Sequence, residues 1–244
     1  MKLSKDEFIN KLKEELLRID LVISEEQLIQ LYEYKELLVS WNDKINLTAI
    51  TDDEEIIKKH IVDSAYALNH INSESKVIDV GTGAGIPGMI LAICNKTIKV
   101  TLLDALQKRT IFLQEVVNTL KLENVDVVHG RAEEIARKEE FRDKYDVVIS
   151  RAVARLNVLM ELTAPFAKIK GSCMYMKAGK TEEEISEVNK SMKELEVRYK
   201  KTYEYCIELN NEESLAHTII EFTKQNKTKE KYPRQFAKIK KNPL

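Results

Sequence analysis

The chain has 244 residues, 43% of them hydrophobic and 32% charged, and its net charge is −1. This composition excludes an intrinsically disordered chain and predicts a globular protein. The longest uncharged stretch, Val80–Asn95, has 16 residues, which is too few to span a bilayer. Charges along the first residues argue against a signal peptide, and the three cysteines form no CxxC pair. We therefore expect a cytoplasmic protein with neither a disulfide scaffold nor a metal site.

Residues 1–72 are predicted to form an N-terminal helical extension. Three capping boxes, in which Ser or Thr is followed three residues later by Glu or Gln, start at Ser4, Ser24 and Thr51. Each precedes apolar residues at three- and four-residue spacing, which is typical of an amphipathic helix.

Residues 73–224 alternate between short β-rich runs and helical stretches. The predicted strands cover 76–80, 98–105, 125–130, 145–150 and 173–178, and the predicted helices cover 87–94, 108–120, 132–140 and 156–167. Such alternation predicts a parallel sheet of the α/β class. The last two runs, 202–209 and 214–224, are joined by a short turn at 210–213. They predict an antiparallel hairpin at the end of a mostly parallel, seven-stranded, Rossmann-like sheet.

Residues 225–244 are predicted to be a basic C-terminal tail. From Lys224 onward the chain carries eight Lys or Arg residues and one acidic residue, Glu230. Such a charge bias favours a polyanionic partner, although a merely solubilising terminus is an equal alternative. Tyr232, Pro233 and Phe236 interrupt the basic residues, so we expect part of the tail to dock on another surface.

Four of the seven glycines lie between Gly81 and Gly88, after the first predicted strand and before a helix. This arrangement predicts a tight turn whose backbone approaches a ligand closely. The spacing Gly83-x-Gly85-x-x-Gly88 matches the dinucleotide fingerprint and leaves open a nicotinamide-dependent oxidoreductase. The earlier match that begins at Asp79 is the pattern of S-adenosylmethionine (SAM) binders. The strand-end Asp79, expected to face a ligand amine or a bound water, and the terminal hairpin favour SAM.

Two further strand ends are predicted to contribute to the same ligand site. Asp104 ends the second strand, where a carboxylate can accept hydrogen bonds from both ribose hydroxyls of an adenosine. Ala132 and Glu133 follow the third strand and are expected to lie beside the adenine.

Several motifs, in order, closely resemble one family. They are DVGTGAGIPG from Asp79, LLDALQKRTIFLQEV from Leu102, GRAEE from Gly130 and YDVVISRAVA from Tyr145, with Trp41-Asn42, Asn46-Leu47-Thr48, His60-x-x-Asp63-Ser64 and Tyr232-Pro233-Arg234 flanking them. The chain resembles the bacterial small-subunit ribosomal RNA guanine-N7 methyltransferases, the RsmG family, also called glucose-inhibited division protein B. The resemblance implies a Rossmann-like class I SAM-dependent methyltransferase.

The resemblance also implies which residues contact SAM: Gly81, Ile86, Ala132, Glu133 and Arg151. To these we add Asp79, Gly83 and Asp104 on the physical grounds above. Ile86 stands where the family commonly has Phe or Leu, and an apolar side chain there should still pack on the ligand.

Guanine N7 carries a free lone pair in the neutral base, so its methylation requires no general base and no covalent nucleophile. We therefore predict catalysis by positioning, with no catalytic residue beyond an electrostatic contribution from Arg151. The expected partner is 16S rRNA or the small ribosomal subunit, bound by a monomer with no membrane and no metal. The predicted substrate-side residues are polar or basic: Asn46, His60, Asp63, Lys108, Arg109, Arg155, Lys177 and Arg234.

Overall fold

A computed structural model describes residues 2–151, 154–179, 181–208 and 214–244. Its centre is a seven-stranded sheet in the order β3-β2-β1-β4-β5-β7-β6. The strands are β1 Lys76–Val80, β2 Lys99–Asp104, β3 Val125–His129, β4 Tyr145–Arg151, β5 Ala167–Ala178, β6 Val197–Glu208 and β7 Ser214–Lys224. The first five are parallel, whereas β7 runs antiparallel to both β5 and β6. The predicted α/β sheet and its terminal hairpin are confirmed, and the turn at 210–213 lies outside the described residues.

Helices cover both faces of the sheet. The α-helices are α1 Lys5–Leu17, α2 Glu25–Ile45, α3 Asp53–Glu55, α4 Asp63–Tyr66, α5 Gly88–Cys94, α6 Gln107–Leu120, α7 Ala132–Ile135, α8 Leu156–Thr163, α9 Glu182–Glu187, α10 Asn189–Leu195 and α11 Phe236–Lys241. A π-helical segment, Ile56–Val62, joins α3 to α4, and 3-10 turns follow α4 and α8.

The first two predicted capping boxes form as expected. The hydroxyls of Ser4 and Ser24 accept hydrogen bonds from the third helical residue, whose side chain bonds back to the cap backbone. The third prediction is wrong by one residue, since Asp52 rather than Thr51 caps α3. Its carboxylate accepts from the backbone of both Glu54 and Glu55, and a carboxylate is a strong acceptor at a helix N-terminus.

Alternate strand residues face two separate hydrophobic cores. Val77 of β1 packs in a core shared by α1, α2, α5 and α6, whereas Ile78 packs in a core shared by α8 and β7. The predicted N-terminal extension is therefore packed on one face of the sheet, where α2 contacts α5 and α6.

The predicted tail packs on the opposite side. Tyr232 and Leu244 are buried in the second core, and Ile239 is buried against Val158 and Leu162 of α8. This placement confirms that the aromatic part of the tail docks, and the surface it meets belongs to the same chain.

Other element boundaries differ from the sequence prediction. Helix α7 ends at Ile135 instead of continuing to 140, and α8 ends at Thr163. The sequence prediction also missed α9, α10 and α11. These helices are short and most of their residues are polar, so their apolar periodicity is weak.

Candidate active site

The glycine loop between β1 and α5 adopts the turn that its composition predicts. Gly81, Gly83 and Gly85 have φ values of +75°, +61° and +91°, in the left-handed region that favours glycine. A Cβ on Gly85 would lie 2.8 Å from Met89, so this glycine permits close packing of the loop. A Cβ on Gly83 would meet only Arg109, at 4.0 Å, so Gly83 faces open space that a ligand can enter.

Asp79 lies beneath the loop and shapes it. Its Oδ2 accepts hydrogen bonds from the Thr82 hydroxyl at 2.6 Å and from the Gly88 backbone at 2.8 Å. Burial raises the pKa of this fully buried carboxyl to about 6. Its other oxygen is buried with no hydrogen-bond partner among the described residues. Asp79 therefore does not line the space above the loop, and its evident role is to hold both ends of the turn.

Asp104 links the glycine loop to the next strand. Its Oδ2 accepts from the Gly83 backbone at 2.9 Å, and its Oδ1 accepts from the Leu106 backbone at 2.9 Å. Asp104 also lines the open space above the loop.

Three cavities follow one another along the carboxyl ends of the strands. The loop cavity, about 550 Å³, is lined by Gly81, Gly83, Ile86, Asp104, Arg109 and Arg151, with Thr48 and His60. The side cavity, about 160 Å³, shares Gly81 and Asp104 with it and is also lined by Gly130, Ala132, Glu133 and Phe236. The hairpin cavity, about 440 Å³, shares His60 and Arg151 with it and is also lined by Ile50, Asp63, Met176, Lys177 and His217. Ligands bind at this edge of open parallel sheets.

Arg151, at the end of β4, separates the loop cavity from the hairpin cavity. Its Nη1 donates to Asp63 at 2.7 Å and to the Lys59 carbonyl at 2.9 Å. Its Nη2 lies 3.3 Å from His60 Nδ1, and His60 Nε2 lies 2.9 Å from the Thr48 hydroxyl. The predicted residues His60, Asp63 and Arg151 thus form one network.

The network fixes the charge of its members. Burial, assisted by the positive charge of Arg151, lowers the pKa of His60 to about 4, so the imidazole is neutral near pH 7. Burial opposes ionisation of Asp63, yet bonds and charges from His217, Arg151 and Tyr205 hold its pKa below the ordinary value. The guanidinium therefore faces a paired carboxylate and a neutral ring.

The other predicted substrate-side residues are placed differently. Arg109 and Lys177 line the loop and hairpin cavities, and Lys177 also pairs with Glu184 at 2.9 Å. Asn46 is the residue that caps the C-terminus of α2, next to the lining residue Leu47, and Lys108 is exposed on α6. Two residues are bound in ion pairs outside the three cavities: Arg155 with Glu187 and Arg234 with the buried Glu161.

The structure adds residues that sequence reasoning missed. Tyr205 donates to Asp63 at 2.6 Å, and His217 Nδ1 lies 2.7 Å from the same carboxylate. Both belong to the hairpin, more than 140 residues from Asp63 in sequence. Because side chains alternate between the two faces of a strand, the sequence places Tyr203 and Tyr205 on the same face of β6. No local signal identifies the residues that they contact.

Neither a membrane segment nor a metal cluster was found in the described part of the chain. No helix there combines the length and hydropathy needed to cross a bilayer. No group of three or more His, Cys, Asp or Glu side chains there is arranged to hold a metal ion.

Comparisons with known proteins agree with this geometry. The family model of GidB, described as rRNA small subunit methyltransferase G, matches residues 27–213. A ribosomal RNA small subunit methyltransferase G from Clostridium botulinum (Loch Maree) is 42% identical over 240 residues, covering 98% of this chain and 99% of the relative. The chain belongs to this family. Another family member, from Clostridium perfringens, is 43% identical over 213 residues, covering 86% of this chain and 88% of that protein.

Solved structures extend the family assignment to the fold. A SAM dependent methyltransferase from Aquifex aeolicus matches with a TM-score of 0.51 at 19% identity, covering 70% of this chain and 94% of that one. At this identity the likeness concerns the fold alone. The predicted membership of the family and the predicted methyltransferase fold are confirmed, and the comparisons give no support to the nicotinamide-dependent oxidoreductase.

Proposed function

We propose that this chain transfers a methyl group from SAM to N7 of a guanine in 16S rRNA. The observation that carries the proposal is the series of three cavities that share lining residues at the carboxyl edge of the sheet. The loop and side cavities provide room for a cofactor, and the hairpin cavity provides room for a base on the other side of Arg151. The names of the relatives supply the class of substrate, small-subunit rRNA.

The residues at the loop fit SAM. Gly83 has no side chain that would block a ligand from the backbone of the loop, and Ile86 offers an apolar surface that is 7% exposed. Asp104 lies between the loop and side cavities, where its carboxylate can accept from ribose hydroxyls. Ala132 and Glu133 line the side cavity, where we place the adenine. When bound, SAM supplies an electrophilic methyl group.

The hairpin cavity is the place that we propose for guanine, whose N7 loses no proton before attack. Asp63 is the carboxylate that lines it within the described residues, and this group is bound to Arg151, Tyr205 and His217. Burial and pairing therefore leave Asp63 poorly placed to accept a proton from substrate. Guanine N7 attacks with its own lone pair, so the residues of this chain need only orient the base and exclude water.

The decisive experiment is methyl transfer from labelled SAM to small ribosomal subunits that lack the modification, with naked 16S rRNA and tRNA in parallel. Nucleoside mass spectrometry should find 7-methylguanosine in 16S rRNA only. Label on another atom or another RNA would overturn the N7 or 16S assignment, and absence of label would overturn methyl transfer itself. Calorimetry should show binding of S-adenosylhomocysteine and none of NAD.

A further inference from the structure

We propose that the C-terminal tail forms part of the cofactor site, with Phe236 as one wall of the pocket for the adenosine moiety. This inference rests on the proposed function, because it assigns the side cavity to the nucleoside of SAM. It gives the tail a role in cofactor binding, separate from any attraction of its lysines to RNA.

The position of Phe236 is the first observation. Its side chain lines the side cavity together with Gly130, Ala132 and Glu133, although it lies about 100 residues further along the chain. Phe236 is the first residue of α11. It remains 38% exposed, which is a large fraction for an aromatic side chain. A second cavity of about 550 Å³, lined by Arg131, Arg137 and Pro233, meets the side cavity at Glu133 and Phe236.

Contacts on both sides of Phe236 hold it in place. Before it, Arg234 forms two hydrogen bonds to Glu161, at 2.8 and 2.6 Å, and its backbone donates to the same carboxylate. Arg137 also donates to the Pro233 carbonyl at 2.6 Å. After it, Ile239 is fully buried against α8. The ring is thus presented by a docked segment and not by a loose terminus.

The chemistry of the cavity fits a purine. Leu159, Leu162 and Phe236 supply apolar surface, while Glu133 and the backbone from Gly130 to Ala132 supply polar groups at the edge. Nucleobases stack on aromatic side chains, and their edges take hydrogen bonds. An exposed Phe that becomes covered by a base contributes affinity without any charge.

Several tail charges are neutralised within the chain, which separates this role from electrostatic binding of RNA. Lys229 and Lys231 lie 3.3 and 3.2 Å from Glu194, and Arg234 pairs with Glu161.

Because Phe236 belongs to both the tail and the cavity wall, binding of the cofactor should stabilise the docked tail. The docked tail should strengthen cofactor binding to the same extent, since such coupling is reciprocal.

The test measures binding of S-adenosylhomocysteine by calorimetry to the full chain and to three variants. Phe236→Ala should raise Kd about tenfold, the order expected when a base loses one aromatic contact. Phe236→Tyr should bind as the unaltered chain does. Tyr199→Ala, which removes an equally exposed aromatic ring (39%) from β6, should also leave Kd unchanged.

Hydrogen–deuterium exchange gives a second measurement, because a general loss of stability in the variant would not by itself change how the ligand affects exchange in the tail. S-adenosylhomocysteine should slow exchange in residues 232–244 of the unaltered chain, and should slow it less in Phe236→Ala. The inference would be overturned if Phe236→Ala bound S-adenosylhomocysteine with the Kd of the unaltered chain, or if the ligand did not change hydrogen–deuterium exchange in the tail. The proposed function would stand in either case. Failure of the unaltered chain to bind would overturn both.

Discussion

Arg151 lines both the loop cavity and the hairpin cavity, and three elements determine its position. Lys59 belongs to the π-helical segment and Asp63 to α4, and both bond to Arg151, while Tyr205 and His217 of the hairpin hold Asp63. Breaking a buried, hydrogen-bonded charge pair by removing one partner typically costs about 3 to 5 kcal/mol. The side chain that we place between methyl donor and acceptor is therefore held in one position before either ligand binds.

At the residue scale, His60 predicts a measurable pH dependence of stability. The unfolded chain protonates this histidine near pH 6.5, but the folded chain does so only near pH 4. Its contribution is therefore fully present above pH 6.5 and is lost as the pH falls towards 4. Between pH 7.5 and 4.5 this loss should amount to about 2 kcal/mol in the free energy of unfolding.

Urea unfolding at both pH values checks this prediction. His60→Gln should make the stability less dependent on pH by that amount, and His129→Gln, which removes an exposed histidine, is the control. Asp79, with its raised pKa, changes stability in the opposite direction, so only the difference between variant and unaltered chain is diagnostic. Identical pH profiles for His60→Gln and the unaltered chain would contradict the assignment of a neutral His60.

At the element scale, the glycine loop and the hairpin each line one of the cavities, and each is bonded to a buried carboxylate. The loop depends on the bonds from Thr82 and Gly88 to Asp79, and the hairpin places a tyrosine and a histidine on Asp63. The sequence located the loop because four glycines in eight residues carry an unusual local signal. It did not locate the hairpin contribution, since nothing near Tyr205 in sequence reports its contact with Asp63.

The loop provides a test of what Asp79 does. Asp79→Ala should raise Kd for S-adenosylhomocysteine at least tenfold, because both ends of the turn lose their acceptor. Asp79→Asn keeps an acceptor oxygen and should stay within about threefold of the unaltered chain. Asp126→Ala, at an exposed position on β3, is the control in the same calorimetric assay. Equal loss in Asp79→Ala and Asp79→Asn would instead indicate a direct contact between the carboxylate charge and the ligand.

The hairpin offers a matched pair of tyrosines. Tyr205 stacks on Tyr66 and donates to the buried Asp63, whereas Tyr203 stacks on His70 and donates to the buried Glu221. Tyr205→Phe and Tyr203→Phe should both cost about 1 to 3 kcal/mol in the free energy of unfolding. Only Tyr205→Phe should also lower kcat for methyl transfer, by about tenfold, because of the two carboxylates only Asp63 is bonded to Arg151. A similar fall in kcat for Tyr203→Phe would show that the effect follows stability.

At the scale of the whole molecule, the two edges of the sheet differ. The carboxyl edge carries the cavities, and the tail that lines the side cavity carries Lys238, Lys240 and Lys241 on α11. The amino edge carries exposed lysines at the starts of β1 and β2, Lys76 and Lys99. We therefore predict that a polyanionic substrate at the cavities contacts the first set and not the second.

Salt dependence of RNA binding separates the two edges. Replacement of Lys238, Lys240 and Lys241 by Gln should reduce the slope of log affinity against log salt by about 1 to 2, since each phosphate contact on single-stranded RNA contributes about 0.7. Replacement of Lys76, Lys99 and Lys121 by Gln should leave the slope unchanged, since Lys121 is exposed where the chain leaves α6 and leads into β3. Filter binding of 16S rRNA over a range of salt concentrations measures both. Equal slopes for the two triple variants would remove the tail lysines from the RNA interface.

The sequence by itself determined the features that local order encodes. Alternating apolar runs specified the strands and most helices, the glycine cluster specified the loop, and the ordered motifs specified the family. Only the tertiary structure decided that His60, Asp63 and Arg151 form one network with Tyr205 and His217, and that Asp79 lies under the loop. It also decided that Phe236 reaches the side cavity. Periodicity and turn chemistry act between residues that are near in sequence. The contacts of Asp63 with Arg151, Tyr205 and His217 join residues 88 to 154 positions apart, and only packing of the sheet brings them together.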